Sequence, residues 1–305
     1  MRSVLVGCTG FVGGNLAASH TFSACYHSTD IAESYGTKPD LVVYAGTRAE
    51  KFLANASPEE DRAAVMQAYE NLTKMQPKKV VLISTADVYQ TPCNVDERTA
   101  VETQGLHPYG LHRFELEQKV RRAFPDALIV RLPALYGKGL KKNFLYDLLT
   151  VTPAMLKENV YAALCEKNPC IAGCYQQGHN GFYKLKPLSA SDAAALRAWF
   201  SQNDFNALSF TDSRAVYQFY PLSRLWADIE TALKEDIPLL NATAAPLSAA
   251  EIHKAVTGRA FCNQLASPPV YYDIKSVYAP LFGGDKDYFI GREETLRGIA
   301  AFCQT

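Results

Sequence analysis

Hydrophobic positions in the first half of this chain gather into short unbroken runs separated by spaced, amphipathic stretches. Val4–Val6, Asp40–Ala45, Lys79–Ser84 and Ala127–Leu132 carry little or no polar alternation, the pattern of strands buried on both faces. Phe22–His27 fits a further strand. Residues 58–75 open on Ser57-Pro58-Glu59-Glu60, a cap, a proline at the first helical position and early acids, and this predicts a helix. Tyr109–Ala123 predicts another, with Leu111, Phe114, Leu116 and Val120 as its core positions. Strands alternating with helices in this rhythm require right-handed crossovers. The expected fold class is therefore α/β, a doubly wound parallel (Rossmann) sheet. Beyond residue 140 the alternation fades into aromatic-rich pieces. We expect residues 1–140 to form the sheet domain, with later stretches returning to the sheet, and 141–305 to form mainly a smaller C-terminal region over the carboxyl ends of the strands. Within it, Ser248 with Glu251 reads as a helix cap, and Glu293–Cys303 as a closing amphipathic helix.

The chemistry begins where the first strand ends. Gly7, Gly10 and Gly13 follow Val4–Val6 and precede a helix. The first glycine allows the sharp turn, the second lets a pyrophosphate approach the backbone, and the third permits close helix–strand packing, with the helix N-terminus facing the phosphates. The plain alternative is glycine as turn punctuation. A carboxylate at the end of the second strand would select NAD through the ribose 2′-OH. Here His27, Ser28 and Thr29 precede Asp30, which tips the balance towards NADP; alternatively Asp30 merely caps a helical Ile31–Tyr35. Ala45-Gly46-Thr47 is a small-residue strand end that lets a cofactor lie close.

Composition narrows the partners. The 305 residues are 48% hydrophobic, and 31 Lys and Arg balance 31 Asp and Glu. No global field draws the protein to nucleic acid or to an anionic membrane. No apolar run approaches the roughly 20 residues of a membrane helix, and a strand opens the chain where a signal peptide would stand, so the expected location is the cytoplasm. The eight cysteines are scattered and read as reduced thiols. Cys165, Cys170 and Cys174 cluster near His179, but without a Cys-x-x-Cys pair they make a poor zinc site. Cys8, inside the glycine turn, reads as a small side chain.

Five pieces occur in a fixed order over roughly the first 145 residues: Gly7-x-x-Gly10-x-x-Gly13, Tyr44-Ala45-Gly46, Ile83-Ser84-Thr85-Ala86-Asp87-Val88-Tyr89, Pro108-Tyr109-Gly110-x-x-Arg113-x-x-x-Glu117, and Arg131-Leu132-Pro133-x-x-Tyr136-Gly137. Together they resemble the extended short-chain dehydrogenase/reductase family, with its sugar-nucleotide epimerases, dehydratases and dehydrorhamnose-type reductases. The resemblance implies an NAD(P)-dependent oxidoreductase or epimerase acting on a nucleotide-linked sugar. It implies cofactor contacts from Gly7, Thr9, Gly10, Phe11, Val12, Gly13, His27, Ser28, Ala45, Gly46, Thr47, Ser84 and Leu132, and from Tyr109 and Arg113. Thr85 would hold the substrate oxygen and Tyr109 would be the acid/base. Family members also pair through the helices near 60–75 and 110–123, which makes a homodimer an expectation.

Two positions depart from the family pattern. Arg113 stands where the family has lysine, and Met66 where it has asparagine. A free tyrosine has a pKa of about 10, so a nearby cation is needed to bring phenolate within reach of neutral pH. Arginine keeps that charge but is bulkier and forked, and Met66 cannot hold a relay water. A competing reading follows: a non-catalytic protein that retains the dinucleotide and sugar-nucleotide pockets. The literal Tyr271-x-x-x-Lys275 lacks a preceding Ser/Thr strand end and reads as coincidence. For the substrate, Asn143, Lys142 and Arg214 could bind a diphosphate. Tyr217, Phe219 and Tyr220 could stack on a base or, more simply for the last two, fill the core.

Overall fold

The computed structural model describes residues 2–178 and 181–304; His179 lies outside them. The chain divides into two compact units, one of residues 1–140, 216–247 and 270–305, the other of 141–215 and 248–269. The segment 141–305 thus contributes to both.

The first unit is built on six strands: β1 (Ser3–Val6), β2 (Ala24–Tyr26), β3 (Leu41–Tyr44), β4 (Lys79–Thr85), β5 (Leu128–Leu132) and β6 (Leu239–Asn241). They lie in the order β6-β5-β4-β3-β1-β2, and every pairing is parallel. Alternate residues serve opposite faces. Val4, Val6, Val42, Val80 and Leu82 pack against Val65, Leu72 and Met75 of α3 (Pro58–Met75) and Leu116 and Val120 of α4 (Pro108–Ala123). Leu5, Val43, Val81 and Val130 pack against Leu16 of α1 (Phe11–Ser19) and against Trp226 and Ile229 of the helix Leu225–Lys234. Because both faces are covered, the strands read as continuous apolar runs.

Several elements differ from the sequence expectation. The second strand keeps only Ala24–Tyr26 of Phe22–His27, and Ile31–Ser34 is a 3-10 turn. Asp30 stands at the start of that turn, but its side chain does not cap it. On α4 the buried residues include His112, Arg113 and Glu117 beside Leu116 and Val120, whereas Leu111 and Phe114 are only half-buried. A short helix, α2 (Lys51–Ala56), stands between β3 and α3, and β6 brings the chain back to the sheet edge late in the sequence.

The second unit holds a three-stranded antiparallel sheet, Met155–Lys157, Phe182–Leu185 and Tyr175–Gln177. Its core is Leu156, Leu164, Ile171, Tyr175, Leu196 and Phe200. Ser248 and Glu251 form the expected reciprocal cap on Ala249–Thr257. All eight cysteines are free thiols. Among the described residues no helix is long and apolar enough to cross a membrane, and no cluster could hold a metal ion.

Candidate active site

Strand order reverses between β1 and β3, and in open parallel sheets ligands bind outside the carboxyl ends at such a switch. Gly7 ends β1 there with φ +91°, and a Cβ on it would lie 2.6 Å from the Ala45 carbonyl oxygen at the end of β3. Only glycine meets both demands. Gly10 forms the N-cap of α1 with no side-chain cap, so the helix start is left to backbone N–H groups. Phe11 and Val12 are half-buried against the core below. The donor set is a bare, glycine-walled helix start at a switch point, and it fits a dinucleotide pyrophosphate.

At the end of β2, Asp30 turns back on His27. Oδ1 accepts the His27 backbone N–H at 2.7 Å, and Oδ2 pairs with Nε2 at 3.2 Å. The carboxylate closest to the expected ribose position is thereby engaged within its own loop.

β4 delivers Ser84 and Thr85. The Thr85 hydroxyl accepts the Asp87 N–H at 3.1 Å and lies near the Tyr109 phenol. Tyr109 sits in the first turn of α4, its N–H donating to Asn55 Oδ1 at 3.1 Å. The α4 N-cap is His107, whose Nδ1 accepts the Gly110 N–H at 3.1 Å. Burial, with the Lys51 cation adding to it, pulls His107 below its ordinary value, consistent with an accepting ring nitrogen. Burial pushes the Tyr109 phenol above its ordinary value. The Arg113 charge and the neighbouring Thr85 hydroxyl oppose that shift without cancelling it.

Arg113 is buried, and its fork is fully committed. Nη1 and Nη2 donate to the two Asp61 oxygens at 2.9 and 3.1 Å, with further bonds to the carbonyls of Tyr109 and Arg48. His112 Nδ1 shares Asp61 at 2.8 Å. Burial raises the Asp61 carboxyl, but the hydrogen bonds from Arg113 and His112 outweigh it and hold the group below the usual range. Met66, on the same helix as Asp61, packs into the apolar layer.

Ser84 is tied to a second buried network. Its hydroxyl donates to Glu117 Oε1 at 2.5 Å. Glu117 pairs with Arg131 at 2.6 Å, the two side chains 0% and 3% exposed. Arg131 Nη1 donates to the Tyr89 oxygen at 2.9 Å, and Asn241 Nδ2 to the same oxygen at 3.1 Å. Glu97 then accepts from the Asn241 N–H, the Ser276 hydroxyl and the Val277 N–H. Sequence reasoning quoted Glu117 and Arg131 without assigning them. The signal was present: an arginine inside a strand covered on both faces requires a buried partner.

The remaining candidates are placed otherwise. Asn143 caps the helix Phe144–Thr150, its Oδ1 accepting the N–H groups of Leu145 and Tyr146. Arg214 chelates Asp212 at 3.0 and 2.7 Å and holds that carboxyl far below its usual range. Both belong to the second unit. Phe219 and Tyr220 are core residues, 1% and 0% exposed. Tyr271 is exposed, and Lys275 pairs with Asp287 at 3.5 Å. Asp61, Asn55, Lys51 and Tyr272 carry no local signal of their place beside the site, because the fold alone brings them there.

No curated protein matches the chain in sequence. Among solved structures, dTDP-4-dehydrorhamnose reductase from Yersinia enterocolitica is 12% identical with a TM-score of 0.64, covering 100% of this chain and 99% of that one. RMD from Pseudomonas aeruginosa, complexed with NADPH, is 13% identical with a TM-score of 0.62 and full coverage of both chains, at 100% each. A UDP-galactose 4-epimerase is 14% identical with a TM-score of 0.61, covering 100% of this chain and 98% of that one. These likenesses show the shared Rossmann-type fold. The family model described as the RmlD substrate binding domain matches residues 1–160, and with more than half its length so matched the chain belongs to that family, within the extended short-chain dehydrogenase/reductases.

Proposed function

We propose that the protein is an NAD(P)-dependent oxidoreductase or epimerase acting on a nucleotide-linked sugar. The observation that carries this reading is the placement of Thr85 on the strand end near the buried Tyr109 phenol on the helix start, in the same unit as the glycine turn of β1. The family and the NADPH-bound RMD neighbour support the cofactor class. Asp30 is turned onto His27 and so is drawn away from a ribose 2′-OH, which favours NADP.

Bound nicotinamide supplies the hydride chemistry. Thr85 then holds the substrate oxygen, and the Tyr109 hydroxyl exchanges a proton with it. Because burial keeps that phenol protonated at neutral pH, it is suited to giving a proton to a carbonyl oxygen, which is the reductive direction. Arg113 steadies the tyrosine ring and contributes its charge, while Asp61 fixes Arg113.

The commitment of the Arg113 fork to Asp61 favours a second reading, a non-catalytic protein that binds the cofactor and the sugar nucleotide. One experiment separates the two. Purified protein is titrated with NADH and NADPH, and nicotinamide fluorescence is then followed with UDP-, GDP- and dTDP-linked keto-sugars. Binding followed by oxidation of the nicotinamide by one keto-sugar supports the enzyme. Tight binding without turnover across the panel supports the second reading, and no binding of either nucleotide overturns both.

A further inference from the structure

Three separate segments of the first unit converge on one carboxylate oxygen beside the Thr85–Tyr109 pair. Asp87 lies in the 3-10 turn that Thr85 caps. Its Oδ1 accepts from Lys51 Nζ of α2 at 2.9 Å and from the Tyr272 hydroxyl at 2.9 Å. Tyr272 is carried there by parallel pairing of Asp273–Ile274 with Cys93–Val95, the strand that follows the Asp87 turn. The two donors share Oδ1, and Oδ2 makes no hydrogen bond among the described residues.

A half-exposed lysine–aspartate pair is by itself worth little, and nothing in that pair requires a tyrosine brought from a distant segment. The arrangement has more definite chemistry than a surface ion pair. Lys51 and Asp87 side chains are 43% and 21% exposed, so an ammonium with further N–H donors stands beside a carboxylate with an accepting oxygen left over. Vicinal ring hydroxyls, each able to donate and to accept, complement that donor–acceptor pair. Burial and the Asp87 carboxylate push the Tyr272 phenol above its ordinary value, so it remains a donor and holds the carboxylate in one orientation. Asp87 is two residues from Thr85, which puts its free oxygen on the same turn as the proposed anchor of the reacting oxygen.

We propose that Asp87, clamped by Lys51 and Tyr272, reads a vicinal pair of hydroxyls on the sugar ring and so sets which ring the site accepts. This rests on the sugar-nucleotide reading above and assigns Lys51 and Tyr272 to specificity. In the test, NADPH-loaded protein is titrated calorimetrically with UDP and UDP-glucose, GDP and GDP-mannose, and dTDP and dTDP-glucose. The wild type is compared with Lys51→Met and Tyr272→Phe, each first checked for an unchanged melting temperature and NADPH affinity. Tyr272→Phe keeps the ring and loses only the hydroxyl, and Lys51 is half-exposed, so at least one folded variant is expected.

The expected result is a wild type that binds one sugar nucleotide more tightly than the bare nucleotide. The variants should bind the bare nucleotide as the wild type does and lose about tenfold of the preference for the sugar, the scale of a hydrogen bond to a charged group. Variants that keep the full preference overturn this inference and leave the sugar-nucleotide reading standing. Equal loss for nucleotide and sugar nucleotide also overturns it, since the cluster would then shape the site as a whole. A wild type with no preference for any of the sugars overturns both.

Discussion

Arg113 lies over the ring of Tyr109, its guanidinium carbon 3.7 Å from the ring centroid, and its hydrogen bonds run to Asp61 and to backbone carbonyls. The cation thus meets the π-face of the tyrosine. Stacking of this kind is a property of the planar guanidinium that a lysine ammonium does not share, and it explains how arginine fits one helical turn beyond Tyr109.

Tyr109→Phe should leave NADPH affinity unchanged and lower reductive turnover by about 10²–10⁴-fold, the usual contribution of a positioned proton donor. In the proposed mechanism the active form is the protonated phenol, whose pKa burial raises. The alkaline fall in activity should therefore lie above the ordinary tyrosine value of about 10. Stopped-flow nicotinamide absorbance across pH checks both expectations. A fall centred near neutral pH would show that another group limits the reaction.

Asp61 makes stability depend on acid. Its folded-state pKa lies below the unfolded value of about 3.9, so its contribution is present above that value and is lost as pH falls through the folded value. The melting temperature should drop as pH is lowered below about 4. Asp61→Asn should lose about 3–5 kcal/mol at neutral pH by leaving Arg113 buried without its counter-ion, and should show a flatter acid limb. Melting curves of both proteins from pH 3 to 7 would decide.

The Glu117–Arg131 pair has a different signature. Glu117→Gln strands a buried guanidinium and should cost about 3–5 kcal/mol, whereas Glu117→Leu with Arg131→Met should cost less than the single change, because neither charge remains. Urea unfolding of the single and double variants measures this. A double variant less stable than Glu117→Gln would mean that the links to Ser84 and Tyr89 outweigh the charge.

Gly10 and Gly13 should separate binding from folding. A Cβ at Gly13 would lie 2.1 Å from the Gly7 carbonyl oxygen, but one at Gly10 would lie 3.2 Å from it. Gly13→Ala should therefore lower the melting temperature together with cofactor affinity. Gly10→Ala should fold normally and weaken NADPH by about tenfold, since the added methyl stands where the phosphates approach. Equal NADPH affinity in Gly10→Ala and the wild type would argue against a pyrophosphate at this turn.

Much of the sheet was legible because four of its strands, β1, β3, β4 and β5, are the apolar segments that double burial demands, and α3 announced itself through Ser57, Pro58 and the following acids. β6 was not legible. Leu239–Asn241 is three residues long and is placed in the sheet by its pairing with β5, a contact that has no local pattern. The buried face of α4 misled for a related reason. Its partners are Asp61 on α3 and Arg131 on β5, so His112, Arg113 and Glu117 are drawn inward while Leu111 and Phe114 stay half-buried. In the site, Thr85 and Tyr109 could be named from motif order. Lys51 and Tyr272 could not, because the fold alone carries them to Asp87. Arg214 reads in the sequence as an anion binder, but Asp212 occupies its fork.

The hydrogen-bonded path from Ser84 through Glu117, Arg131, Tyr89 and Asn241 to Glu97 and Ser276 crosses five distant stretches of the chain without a gap. The end of β4 and the segment that carries Tyr272 are consequently braced by one lattice. Drift in either is constrained by the other, and substitutions that retune this site should accumulate at remote positions such as Glu97 and Asn241 as well as beside Tyr109.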